Sequence, residues 1–247
     1  MSLDILATIL GLFFGSFVLS SVGFGIGLSG SPFLLVFLDA KTTVVVINSV
    51  SLTVFVMLIV QNQKRIQYRE MALPISSGLL GVPAGLLIFE HINPDLLSII
   101  IAVIIIISGA FVAIYDTKHI STKPLVFPTV SFVVGGLLTS TGVGGPLMAL
   151  AAVSQGWSRD AIRGSLPLFY FFIEGTAVVG YWFSGRFGEE AILLIAIGLF
   201  PALIGFLLAS KLIKYIDEDL YRKVVIGVII SGGLLALVRS GLKTSWI

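Results

Sequence analysis

Ser21-Val22-Gly23-Phe24-Gly25-Ile26-Gly27-Leu28-Ser29-Gly30-Ser31-Pro32 interrupts a long apolar stretch near the start of the chain. About 120 residues later the same element returns as Ser140-Thr141-Gly142-Val143-Gly144-Gly145-Pro146. Glycine and proline break helices, and a free backbone N–H or C=O within hydrocarbon costs several kcal/mol. Such breaks persist where the exposed backbone is buried in protein or lines a cavity. A pair of them at corresponding places in two halves points to the binding site of a transporter.

The surrounding composition makes a membrane the setting. Of 247 residues, 57% are hydrophobic and 11% charged, and the mean hydropathy is +1.09. A soluble domain carries roughly 25% charged residues. Apolar runs place spans at 3–22, 44–61, 72–89, 96–115, 125–140, 161–184, 191–209 and 220–240. Each is close to the roughly 20 residues that cross a bilayer. The fold class is therefore all-α and integral to the membrane, one transmembrane domain over 1–247 with almost no polar chain left for a soluble one. No lysine or arginine precedes Lys41, so the first run lacks the basic flank of a cleavable signal.

The chain contains no cysteine, which excludes disulfides, thiolate chemistry and cysteine-held metal. No cofactor or metal is implied. The net charge of +2 reflects loop lysines and arginines, without the basic, aromatic-interleaved stripe of a nucleic-acid surface.

The duplication extends beyond the glycine elements. Ile106-Ile107-Ser108-Gly109-Ala110 recurs as Ile229-Ile230-Ser231-Gly232-Gly233, and Gly78, Gly81 and Gly85 align with Gly198, Pro201 and Gly205. Asp95-Leu96 parallels Asp219-Leu220. The shared offset defines two repeats, 1–115 and 125–247. If each glycine break lies in a helix that simply crosses, the halves run parallel and the lysines and arginines divide 8 to 7 between faces. If 3–38 and 125–154 each enter and return, three net crossings remain per half. The division then becomes 11 to 4, with only Lys41, Arg186, Arg239 and Lys243 on the minority face. Positive charge concentrates on cytoplasmic faces. The second arrangement is thus favoured: inverted repeats, both termini non-cytoplasmic, in a multi-pass protein of the cell (inner) membrane.

A break followed by a new helix forms an anion site without a basic side chain. Pro32 is placed where the first return helix begins, since proline suits a first helical position. The helix start turns free N–H groups and a partial positive charge into the gap. The candidate substrate-binding residues are Ser21, Gly23, Gly25, Ser29, Ser31, Asn48, Ser140, Thr141, Gly142, Gly144, Gly145 and Ser165. The hydroxyls serve as neutral donors beside the backbone, joined by those of Ser20 and Thr139. The bland alternative for any one glycine is close helix packing.

Glu174 is the only carboxylate deep within a predicted span. An ionised carboxylate there is costly, so the residue is protonated, paired or facing water. It is the candidate for ion coupling, with a proton as the candidate ion. The competing reading is a neutral Glu bonded between helices. Tyr170 lies one turn before it, and Arg163 stands at the mouth of the span. His91 and His119 fall in loops, and Trp157, Trp182 and Trp246 near span ends form an aromatic belt.

The run Gly23-Phe24-Gly25-Ile26-Gly27-Leu28-Ser29-Gly30-Ser31-Pro32 resembles the sulfite exporter TauE/SafE family, and length, span count and duplication resemble it across the whole chain. The resemblance implies a secondary transporter moving sulfite, an organosulfonate or a related sulfur anion, often outward, driven by an ion gradient. Two departures stand out. Ile26 replaces a glycine, and the second run meets Pro146 at once, with Ala151 at the later proline position, so a shorter second break is expected.

No Walker A sequence marks an ATP-driven pump. The alternatives are an uptake carrier or channel for another small anion. More remote is an intramembrane serine protease, since Gly27-Leu28-Ser29-Gly30 has a G-x-S-G form. Ser29 would need a histidine base within hydrogen-bond reach.

Overall fold

The computed structural model describes residues 3–114 and 126–212, and their regular structure is all helical. The helices are α1 (Leu3–Val22), α2 (Ile26–Leu35), α3 (Ala40–Asn62), α4 (Tyr68–His91), α5 (Pro94–Ile114), α6 (Val126–Thr141), α7 (Gly145–Ser154), α8 (Arg159–Phe183) and α9 (Glu189–Leu212). A single 3-10 turn, Gln63–Arg65, follows α3. Five elements are long and apolar enough to cross a membrane: α1, α3 with its turn, α4, α8 and α9. The last predicted span, 220–240, lies outside the described residues.

Local chemistry sets where the central helices start. The Asp39 carboxylate accepts from the N–H groups of Lys41 and Thr42 at 2.9 and 3.1 Å and caps α3. Ser158 Oγ accepts from the Ala161 N–H at 3.2 Å and caps α8. Each cap takes up a donor that the first turn cannot satisfy itself.

Both glycine elements reverse the chain. The breaks are Gly23-Phe24-Gly25 and Gly142-Val143-Gly144, three residues each between helices. Gly23, Gly25 and Gly142 have φ of +90°, +104° and +69°, conformations that a side chain disfavours. After the first break α2 lies back along α1: a Cβ on Gly11 would sit 3.0 Å from Gly30 O and from Phe33 Cβ, and one on Gly15 would sit 2.9 Å from Ile26 O. Phe14 stacks on Phe33 at 5.7 Å. In the second element Ser131 Oγ contacts Met148 Sδ at 3.6 Å, and Phe127 meets Trp157 edge-on at 5.6 Å. The return helices have ten residues each, so at about 1.5 Å per residue they cover roughly half of a 30 Å hydrocarbon core.

Two expectations need correction. The first return helix begins at Ile26, and Pro32 is its seventh residue. The left-handed glycines turn the chain within three residues, so the helix resumes well before the proline. The second break is also no shorter than the first. Pro146 merely enters α7 in its first turn, where its missing N–H removes no helical bond.

The centre of the protein is α3 packed antiparallel on α8. At one end Arg65 pairs with Asp160 at 3.2 Å. At the other, Lys41 Nζ donates to Glu90 O at 2.8 Å, and Arg186 clasps the Glu90 carboxylate through Nε and Nη2 at 3.2 and 2.5 Å. That carboxylate raises the Arg186 guanidinium above its ordinary range. Outside this pair α1 runs along α9 and α6 along α4.

Small residues allow these flanking pairs to meet backbone to backbone. Ser16 Oγ donates to Ala202 O at 2.6 Å, and Gly205 faces the backbone of Phe13 and Phe17. Gly81 faces the carbonyl of Phe132, too close to admit any Cβ, and Gly85 faces Gly136 and Thr139. Helices in membranes associate through such close packing. Gly81→Leu is expected to lower the thermal midpoint of the purified protein markedly, since overpacking costs about 1–3 kcal/mol even where side chains can shift. An unchanged midpoint would contradict the backbone contact.

Candidate functional site

The tips of the two hairpins touch. The first turn of α2 rests on the second break, where a Cβ on Gly27 would overlap the Gly142 carbonyl oxygen. The contact is reciprocated: a Cβ on Gly145 would lie 2.9 Å from Phe24 Cβ and 3.3 Å from Gly25 N. Between the tips is a small cavity lined by backbone of Gly25, Gly27, Gly142 and Gly145 and by the side chains of Phe55, Tyr170 and Glu174. Leu19 and Leu138, one from each hairpin, also line it. It has room for about one water molecule.

The helix ends around the cavity are divided by polarity. Ser29 N–H reaches Gly25 O at 3.0 Å, and Met148 N–H reaches Gly144 O at 3.3 Å, so the return helices wind from those residues. The N–H groups before them, on Ile26, Gly27 and Leu28 and on Gly145 and Leu147, have no partner within their own helices. The carbonyl ends are held by side chains. Ser20 O accepts from Arg163 Nη2 at 3.2 Å, and Leu138 O accepts from Asn48 Nδ2 at 3.1 Å. Tyr181 donates its hydroxyl to Thr139 O. Tyr170 donates to Gly145 O, in the first turn of α7, at 3.1 Å. Two helix N-termini, one per half, are thereby left facing one small space. Their partial positive charges favour an anion there.

The hydroxyls are arranged differently from the backbone. Ser21, Ser29, Ser140 and Thr141 donate to carbonyls of Phe17, Gly25, Gly136 and Leu137, all one turn back, at 2.7–2.8 Å. Their protons are engaged within their own helix or its cap. Thr139 does the same with Gly135 O. Among the described residues, the buried hydroxyls without a partner include Ser20 and Ser31. Ser165 lies away from the cavity, accepting from the Gln67 N–H at 2.9 Å beside the α3–α4 connection. Gly23 packs against the Arg163 backbone.

Asn48 is fully buried, and both protons of its amide nitrogen are used, on Leu138 O and on the Tyr181 hydroxyl, each at 3.1 Å. Its oxygen is therefore turned toward Gly142 and, among the described residues, has no donor. Tyr170, Glu174 and Tyr181 lie four and seven residues apart on one face of α8. That spacing was a signal for Tyr181, which sequence reasoning passed over along with Phe55. Asn48→Leu removes two donors at once and leaves the Leu138 carbonyl without this donor. Loss of about 1–3 kcal/mol of stability is expected, read as a lower unfolding midpoint. An unchanged midpoint would mean that these bonds contribute nothing.

A protein-family model described as Sulfite exporter TauE/SafE matches residues 7–236. The chain belongs to the TauE/SafE family. Neither the curated proteins nor the solved structures yield a match. TauE/SafE membership implies a multi-pass membrane transporter, with sulfur-containing anions as the implied substrate class, and not an enzyme. The Ser29 hydroxyl donates to Gly25 O, and the ring of His91 is bonded to Leu87 O at the end of α4. His119 lies outside the described residues.

Proposed function

We propose that this TauE/SafE protein is a secondary transporter that exports a small sulfur oxyanion or organosulfonate, holding it between the two hairpin tips. The observation that carries the reading is the pair of helix N-termini, one from each glycine break, opposed across one cavity. The first-turn N–H groups of α2 and α7 have no partner within their own helices, which suits an anion. The glycines, and Asn48 behind Gly142, would form the substrate contacts.

Alternating access between inverted halves accounts for the arrangement. Within the proposed repeats 1–115 and 125–247, the counterpart helices α3 and α8 are antiparallel. The first hairpin tip meets Arg163, near the start of α8, and the second meets Tyr181, near its end. The tips thus approach from opposite directions, as an axis in the membrane plane requires. Lys41 and Arg186 share one end of the α3–α8 pair, while Arg65 and Arg163 share the other. This agrees with cytoplasmic placement of the second end and non-cytoplasmic termini. A sulfite ion has four heavy atoms and needs more room than one water, so the hairpins must part to admit it.

The absence of native cysteine permits a direct test. Leu19→Cys and Leu138→Cys place one thiol on each hairpin at the cavity. Membrane-impermeant thiol reagents are expected to reach both positions, and sulfoacetate is expected to slow labelling at both. Labelling from one side only, with no protection by any sulfur anion, would contradict alternating access at this site.

A further inference from the structure

Ser51 on α3 and Glu174 on α8 meet beside the cavity, with Ser51 Oγ 2.5 Å from Glu174 Oε2. Both are buried, at 0% and 2% exposure. Ser51 Oγ also lies 3.0 Å from the carbonyl oxygen of Asn48, one turn earlier in α3. A serine hydroxyl has one proton to donate, and a carbonyl oxygen can only accept. Both contacts are hydrogen bonds together in one way only. Glu174 carries a proton and donates it to Ser51 Oγ, while Ser51 donates to Asn48 O. If Glu174 is ionised, Ser51 must turn its proton to the carboxylate and leave Asn48 O.

Among the described residues, the surroundings offer Glu174 no counter-charge. Helices α6 and α7 contain no ionisable residue. Lys41 of α3 and Glu90 of α4 are engaged at one end of the central pair, with Arg186. Arg65 and Asp160 are engaged at the other, where Arg163 binds Ser20 O. On α8 itself the phenols of Tyr170 and Tyr181 donate to backbone carbonyls.

The pair is also the place where the two halves differ. The offset of 119 residues that carries Gly23 onto Gly142 carries Ser51 onto Tyr170 and Phe55 onto Glu174. The contact equivalent to Ser51–Glu174 is therefore Phe55–Tyr170, and it is present, with ring centroids 5.7 Å apart. One contact of the duplicated pair is acidic and the other aromatic. A site that duplication would have made twice holds a single carboxyl group.

We propose that Ser51 and Glu174 form a one-proton site: Glu174 holds the proton in this conformation, Ser51 positions it, and one proton is exchanged per transport cycle. The site itself follows from the bonding; its use in a cycle rests on the transporter reading above. When the hairpins part and water enters, the Glu174 O–H bond breaks and the proton passes to water. The Ser51 O–H then turns from Asn48 O to the carboxylate.

Infrared spectra of the purified protein without substrate test the site independently of transport. At neutral pH the wild type is expected to show the C=O stretch of a protonated carboxylic acid, absent in Glu174→Gln. In Ser51→Ala the band shifts, because the acid loses its acceptor, whereas in Ser49→Ala it keeps its position. A spectrum with no Glu174-dependent acid band, or a band unmoved in Ser51→Ala, overturns the proposal. Should Glu174→Gln fail to fold, raising the pH of the wild type must convert the acid band to a carboxylate band, and its absence throughout is equally fatal. In liposomes, reversal potentials should give one proton per anion, and a ratio of two would overturn the single site. An acid band with no flux of any anion would leave the proton site standing and remove the transporter reading alone.

Discussion

Gly27→Val is expected to abolish substrate flux while the protein remains in the membrane. The Gly27 backbone lies directly on the carbonyl of Gly142, and an added Cβ would also stand 3.5 Å from Val143 Cγ2. Backbone cannot move aside as a flexible side chain can, so the hairpin tips must separate. A displacement of about 1 Å at a reacting or binding centre can cost about 10²-fold in rate. The overpacking itself costs about 1–3 kcal/mol, which weakens the fold without removing it. Gly25→Val should match it for a different reason: a Cβ there would make only ordinary contacts, with Val18 Cγ1 at 3.6 Å and Leu28 Cβ at 3.8 Å, but the φ is +104°. Gly144→Val should be milder. Its φ of −170° suits any residue, and the nearest atoms belong to side chains rather than backbone, Leu138 Cγ at 3.1 Å and Val134 Cγ1 at 3.2 Å. Flux, membrane abundance and thermal midpoint measured together check the order. Wild-type flux in well-folded Gly27→Val would remove the basis for placing substrate between the tips.

Glu174→Gln is expected to make flux insensitive to an imposed pH gradient. The amide keeps the size of the side chain and its bond to Ser51, but it cannot gain or lose a proton in the working range. Gradient-driven accumulation inside liposomes should fall to the level reached at equal pH on both sides. A gradient response equal to that of the wild type would return Glu174 to a packing role. Because the Gln side chain preserves the contact, a loss of coupling cannot be attributed to a collapsed cavity.

Much of this architecture is legible in the chain because glycine carries it. Gly23, Gly25 and Gly142 adopt conformations open chiefly to glycine, so the breaks announce themselves locally. The charge division between loops likewise favours hairpins over simple crossings, since it depends only on which connections share a face. What escapes the sequence is long-range. The contact of Gly27 with Gly142 joins residues from different halves, and no local pattern distinguishes it from ordinary small-residue packing. The hydroxyls of Ser21, Ser29, Ser140 and Thr141 look like free donors in a list of residues. In a helix, serine and threonine readily bond the carbonyl one turn back, and there they do. Ser165 fails to reach the cavity because the early turns of α8 lie beside the α3–α4 connection. Pro32 misleads for a related reason: proline is usually read as a helix start, yet left-handed glycines had already completed the turn.

The measurement that bears most directly on the central claim is flux of sulfite, sulfoacetate, sulfate and chloride through the purified protein in liposomes, with and without a pH gradient. Saturable flux of a sulfur anion that responds to the gradient is the predicted result. Absence of flux for every anion, from protein shown to be folded, would contradict an anion carrier built on the paired glycine breaks.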